Sequence, residues 1–245
     1  MHYAALSAEI VSFSSLTTEE GDQLRQRICW LLEQIDRSQL KWKKRKVLAR
    51  VVSGGLIECL IPELCDALRI ALLIKNGVRS FPLPTSSTPE NSDKQRKQFQ
   101  IYGARIGIFV APVNIDVFDR DVWDEDAVRR SGELIAEKKR LKVKNTLYFD
   151  SPIKSLTDQF TVITSLLDEF LNRATTKQSH VLLYKLLGYS EVEIAREVGI
   201  KQSTVNQQAK AAGWNVIEQA VRYYSRFDFV GEFNYKNYWE EDLLE

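Results

Sequence analysis

Hydrophobic positions along the chain change period near its middle, from strands mixed with helices to helices alone. Tyr3 to Val11 is a continuous apolar, strand-like run. Thr17 or Thr18, followed by Glu19 and Glu20, has the form of a helix start, with acids at the positive end of the dipole. Leu24, Ile28, Leu31, Leu32 and Ile35 then recur at helical spacing. Val47 to Val52 and Leu56 to Ile61 are short apolar runs separated by Ser53-Gly54-Gly55, and adjacent glycines permit the positive φ of a tight hairpin. Pro62-Glu63 opens a second helix, with Leu64, Leu68, Ala71, Leu72 and Ile74 as its apolar positions. Phe81 to Gln98, with three prolines and a polar run, reads as a mobile surface loop. A strand over Ile101 to Val110, a helix over Asp124 to Lys139 and a strand over Lys142 to Phe149 complete this half.

The order β-α-β-β-α-β, then α-β, predicts an α+β fold. Its first six elements match the split βαβ arrangement of a ferredoxin-like sheet, mainly antiparallel with helices on one face. After Phe149 the strand signal stops. Leu156, Phe160, Ile163, Leu166, Leu167, Phe170 and Leu171 begin an all-helical region. The predicted division is therefore an α+β domain over 1–150, a helical domain over 151–226, and an aromatic, acidic tail over 227–245. The tail either packs back on the body or forms a disordered arm.

Composition narrows the chemistry. Among 245 residues, 34 are basic and 33 acidic, for a formal charge of +1. No global field selects nucleic acid, so any basic surface is local. Two histidines and three scattered cysteines (Cys29, Cys59, Cys65) give neither a disulfide framework nor a zinc pattern. No metal or cofactor is expected on these grounds. Apolar runs are too short and too often charged to span a membrane, and the N-terminal ten residues lack the form of a signal peptide, so a cytoplasmic protein is expected.

The most specific motif lies at 190–210 and predicts a helix-turn-helix. Ser190 with Glu193 has capping-box spacing. Ile194, Ala195 and Val198 form an inward face, Gly199 suits the left-handed helix end, and Ile200 plugs the turn. Ser203 is a candidate cap for the second helix, whose Val205 and Ala209 point inward at i, i+4. Lys201, Gln202, Ser203, Thr204, Asn206, Gln207 and Lys210 are left outside. These are the residue types that contact phosphates and base edges. Arg196, Lys185 and Arg222, with His180 and Arg226, could add phosphate contacts. The basic runs Lys41 to Lys46, with Trp42 interleaved, and Lys138 to Lys144 read as solvated charge that could extend a DNA footprint. Asp116, Asp119, Asp121, Asp124 and Asp126 read as a solvated loop and helix start.

Several segments carry a family resemblance. Ala8-Glu9-Ile10-Val11-Ser12-Phe13 resembles the first strand of class III nucleotide cyclases, where a carboxylate holds a metal. Ser53-Gly54-Gly55-Leu56-Ile57-Glu58 stands in the place of their Gly-Asp hairpin, and Arg105-Ile106-Gly107-Ile108 resembles their later strand. Val122 to Leu134 resembles a later helix of that family. Together with Ala67-Leu68-Arg69-Ile70-Ala71, Ser131-Gly132-Glu133 and Gln202-Ser203-Thr204-Val205, the chain is similar to the SatD-like family, which joins such a cyclase-palm-like domain to a helix-turn-helix. The resemblance implies a regulatory or DNA-binding protein. Two-metal phosphoryl chemistry needs two carboxylates on both ions. Here Glu9 stands at the first position as a remnant ligand or metal position. Gly55 occupies the second, and Arg129 stands where an Asn is expected. The expected function is therefore a transcriptional regulator that binds double-stranded DNA, with a catalytically degenerate cyclase-like domain for homodimerisation or for sensing a small-molecule or nucleotide ligand. A nucleotide-binding or nucleotide-cyclising enzyme and a protein-interaction adaptor are the alternatives.

Overall fold

A computed structural model describes residues 2–36, 46–83, 90–112 and 125–234. The basic run from Lys41 to Arg45, residues Asp116, Asp119, Asp121 and Asp124, and the tail from residue 235 lie outside the described residues. The protein is α+β. Strand β1 (His2–Ile10) is central and antiparallel to both neighbours, β3 (Leu56–Ile61) and β4 (Ala104–Pro112). β2 (Leu48–Val52) pairs with β3 across Ser53–Gly55, where Gly54 and Gly55 have φ of 76° and 79°. β5 (Leu147–Asp150) joins β4 in parallel, giving the order β2-β3-β1-β4-β5.

Helices cover both faces of this sheet, not one. Ala4, Leu6, Ala8 and Ile10 of β1 join α1 (Thr18–Asp36) and α2 (Ala67–Arg79) in the main core. Tyr3, Ala5 and Ser7 face α4 (Glu125–Arg140) on the other side. The reason is in the strand itself. Residues 3–6 are apolar at both parities, the mark of a strand buried on both faces. Helix α4 approaches closely because Gly107 of β4 lies under it. A Cβ there would stand 2.3 Å from the Ser131 carbonyl oxygen. Beside that crossing the Ser7 and Ser131 hydroxyls are 2.7 Å apart.

The predicted loop over Phe81 to Gln98 is also corrected: residues Glu90–Tyr102 form helix α3. Its described anchors are Phe99, fully buried, and Arg96, which forms a two-pronged ion pair with Glu20 at 2.6 and 2.9 Å. That pair holds the Glu20 carboxyl below its ordinary value, chiefly through the Arg96 hydrogen bonds. Glu20 also closes a capping box with Thr17 at the start of α1. Gly103, at φ 64°, ends α3, so β4 begins at Ala104 and not at Ile101. The last strand is likewise shorter than expected.

Helices α5 (Lys154–Arg173), α6 (Thr176–Leu187), α7 (Glu191–Val198), α8 (Gln202–Ala211) and α9 (Trp214–Arg226) make up the second half. One core runs across position 150: Leu171, Leu182, Leu186, Ile217 and Tyr224 belong to the same cluster as β1 and α2. Helix α2 is buried at every position but Arg69, because the sheet lies on one side of it and α6 on the other. Arg69 itself donates to the Leu186 carbonyl at the end of α6. Beyond α9, Phe229 and Phe233 return to the core, where Phe229 stacks on Phe160 and meets the Tyr224 ring at a tilt.

A charged network is sealed at this seam. Lys75 Nζ lies 3.1 Å from Asp168 of α5 and also donates to Thr146 Oγ1 and to the Tyr102 and Ala104 carbonyls. Asp168 accepts from the Thr146 backbone N–H at 2.6 Å and its hydroxyl at 2.8 Å. Arg79 donates to Ser179 and to the carbonyls of Ile101 and Ala174, tying the ends of α3 and α5 to α2. No helix among the described residues is long and apolar enough to cross a membrane.

Candidate nucleic-acid interface

Segment 190–210 folds as two short helices, α7 and α8, joined by Gly199, Ile200 and Lys201. Local chemistry sets each end. The Ser190 side chain accepts from the Glu193 N–H while Glu193 accepts from the Ser190 N–H, completing the capping box. Gly199 sits at φ 70° with open space around it, and the Ile200 N–H reaches back to the Ala195 carbonyl at 3.0 Å. That is the Schellman closure of a helix end. Gly188 and Tyr189 end α6 the same way, on Tyr184.

The pair has its own small core. Val181 of α6, Ile194 of α7, and Val205 and Ala209 of α8 are buried together, flanked by Ala195, Val198, Ile200, Tyr184, Tyr189 and Trp214. Burial of each large aliphatic side chain here contributes about 1.5–3 kcal/mol. Every inward position named from the sequence is in this cluster.

The outward positions divide into two groups. Ser203, Gln207 and Lys210 are exposed and follow one another at i, i+4 and i+7, so they share one row of α8. Lys201 and Gln202 are exposed at its start, and Thr204 is half-buried. Ser203 does not cap the helix. Lys201 holds the cap position with no side-chain hydrogen bond, because the helix already begins at Gln202. Asn206 is exposed but donates to Glu191 Oε1 at 3.2 Å. Lys185, expected at phosphate, donates to the same carboxylate at 3.1 Å and lies over the Trp214 ring.

Glu191 is therefore the organiser that sequence reasoning passed over. One carboxylate at the start of α7 fastens α6 and α8. The Lys185 hydrogen bond is the main reason its pKa is lowered. Its sequence signal is position: an acid in the first turn of a helix, where the dipole favours it.

Of the remaining basic residues, Arg196 is exposed on α7. Arg222 is exposed on α9 and pairs with Glu218 at 2.9 Å. His180 is half-buried against Tyr184. Burial, with Arg27 nearby, lowers its pKa and leaves the imidazole neutral at pH 7. Residues 176–226 contain seven Lys and Arg against four Glu and no Asp, so the module is locally basic although the whole chain is nearly neutral.

The cyclase-like positions are arranged otherwise. Glu9 lies 2.8 Å from Lys139 of α4 in a half-exposed ion pair. At Gly55 the backbone is left-handed, and a Cβ would stand 2.7 Å from the Phe13 ring. Arg129 lies on the surface between Asp126 and Glu133. Among the described residues no group of three His, Cys, Asp or Glu side chains could hold a metal ion. Cys29, Cys59 and Cys65 form no disulfide, and burial pushes the Cys59 thiol up to about 12. Compared with sequence models of known families and with curated protein sequences, the chain matches none.

Proposed function

We propose that the chain binds double-stranded DNA through α7 and α8 as a helix-turn-helix, with α8 as the recognition helix, and acts as a transcriptional regulator in the manner its SatD-like resemblance implies. In this reading the sheet half is a ferredoxin-like, cyclase-derived scaffold without catalytic chemistry. Two copies pair so that two modules meet two half-sites. The observation that carries the reading is the division of α8. Val205 and Ala209 are locked into the module's core, while Ser203, Gln207 and Lys210 form an unobstructed polar row. Such a row supplies a bidentate amide for adenine and a cation for phosphate or guanine. Asn206 and Lys185 serve to brace this row through Glu191.

The test is anisotropy titration of labelled duplexes across a salt series. Wild type should bind random duplex with a steep negative salt slope. Lys210→Ala and Lys201→Ala should each flatten that slope by about one unit on all sequences. Gln207→Ala should cost about 1–3 kcal/mol on a selected site and little on random DNA. Val205→Asp should unfold the module by burying an unpaired carboxylate. Wild type that binds no duplex at low salt, or surface variants that bind every duplex as wild type does, would refute the reading.

A further inference from the structure

Among the described residues, five of the ten exposed large hydrophobic side chains lie on α5 and α9. Val162 and Leu166 are 59% and 60% exposed, and Phe170, Val216 and Tyr223 are 38%, 45% and 47% exposed. On α5, Val162, Leu166 and Phe170 follow at i, i+4 and i+8, one stripe of the helix. Val216 and Tyr223 of α9 are seven apart, again on one side. Two contacts place the stripes side by side and antiparallel. The Gln159 amide donates to the Tyr223 hydroxyl at one end. At the other, Phe170 lies against Gly213, where a Cβ would stand 2.7 Å from its ring. Eleven residues of helix separate Gln159 from Phe170, so the strip is about 16 Å long at 1.5 Å per residue. With whole side chains of roughly 150–200 Å², the exposed fractions amount to about 400 Å² of apolar surface, in the range of the largest, often functional, patch on a single chain.

We infer that this α5–α9 face is where two copies of the chain pair. This deepens the proposed pairing by naming its surface, and it does not require DNA. Two observations select a second copy over another partner. The first is charge. Counting Lys154 and Asp228, the solvent-side charges of α5, α9 and the turn after it number four of each sign. Glu169–Arg173 and Glu218–Arg222 are already closed pairs within one helix. A balanced rim offers no field to a strongly acidic or basic partner and does not repel its own copy. The second is area. Two such strips bury about 800 Å² of apolar core, and their polar rims bring the total towards the roughly 1,200–2,000 Å² of a stable interface. Pairing two antiparallel helices with two more also gives the four-helix packing that long apolar stripes favour. Because α9 starts at Trp214, close behind α8, the same contact fixes the spacing between the two recognition helices.

Sedimentation velocity of the full chain across about 1–100 µM, without DNA, tests this. Wild type should be a dimer, and Leu166→Glu and Val216→Lys should each weaken it at least 100-fold with unchanged circular dichroism. The charge-reversed pair Leu166→Glu and Val216→Lys, mixed as two separate proteins, should recover some dimer. A wild type that is monomeric at 100 µM overturns the inference. So does a wild-type dimer that both folded variants keep, an outcome that leaves pairing through another surface standing. A wild-type dimer lost in both variants but without affinity for any duplex supports this inference and refutes the DNA reading.

Discussion

Removing the Asp168 carboxylate probes the seam between the sheet and the helical half. Its side chain is 2% exposed, and its partner Lys75 is fully buried. Asp168→Ala removes the countercharge 3.1 Å from Lys75 Nζ and orphans the Thr146 N–H. Breaking a buried pair from one side costs about 3–5 kcal/mol, because an uncompensated charge stays behind. Lys75 keeps three acceptors, Thr146 Oγ1 and the Tyr102 and Ala104 carbonyls, which places the cost at the lower end of that range. Asp168→Asn leaves an acceptor for the Thr146 N–H and loses only the charge, so it should cost about 1.5–3 kcal/mol. Its cost should also shrink with pH. Burial already lowers Lys75 to about 8, and Asp168 acts in the opposite direction. Without Asp168 the amine sheds its proton earlier, so the variant should lag wild type less at pH 9 than at pH 6. Adding Lys75→Met to Asp168→Asn should regain part of the loss, a coupling of about 1–3 kcal/mol. Urea unfolding followed by tryptophan fluorescence of wild type, Asp168→Ala, Asp168→Asn, Lys75→Met and the double variant gives the five stabilities. A cost under about 1 kcal/mol for Asp168→Ala, or strict additivity in the double variant, would refute the argument.

Two glycines should behave oppositely. Gly107→Ala drives a methyl into the Ser131 carbonyl and should cost about 3 kcal/mol through displacement of α4, read as a loss of Tm. Gly199→Ala meets nothing within 4 Å but keeps a left-handed residue, so it should cost about 1–2 kcal/mol, visible as faster amide exchange confined to α7 and α8. Wild-type stability should rise between about pH 8 and 9, because the unfolded chain holds the Lys75 proton that the folded one gives up; from pH 9 the buried Cys59 thiol, pushed up to about 12, offsets that gain. Above pH 10 it should fall, since burial pushes Tyr148 up to about 12 and the unfolded chain ionises first; urea midpoints at pH 7, 8.5, 10 and 11 check both signs. Glu9→Gln should change stability by no more than about 1 kcal/mol, as its pair with Lys139 is half-exposed, and a larger change in Tm would contradict that.

What could be read in the chain followed from local periodicity and capping. The hairpin at Gly54-Gly55, the Ser190–Glu193 box, the Gly199 turn and the inward set Ile194, Val205 and Ala209 each depend on neighbours within a few residues. Helix α3 escaped because its described buried positions reduce to Arg96 and Phe99, too narrow a stripe for a periodic signal. Arg96 also reads as polar until Glu20, 76 residues earlier, is placed beside it. The second helical face of the sheet was legible in the both-parity apolar run of β1, but the ferredoxin-like pattern argued for one face. At the candidate interface the sequence separated inside from outside. It could not show that Asn206 and Lys185 spend their donors on Glu191, because that requires three helices to converge.

The burial of α2 between the sheet and α6 also bears on how the chain is made. Arg79, the last residue of α2, leaves the ribosome 108 residues before Leu187, the last of α6. At about 5–20 residues per second, that interval is roughly 5–20 s. Through most of it, the α2 surface that α6 will cover is synthesised but unprotected, as are Lys75 and Arg79, whose partners Asp168, Ala174 and Ser179 are made only near its end. A nascent chain truncated before α5 therefore presents an apolar helix whose two cations lack their α5 and α6 partners. Slowing translation between residues 80 and 187 would lengthen that exposure.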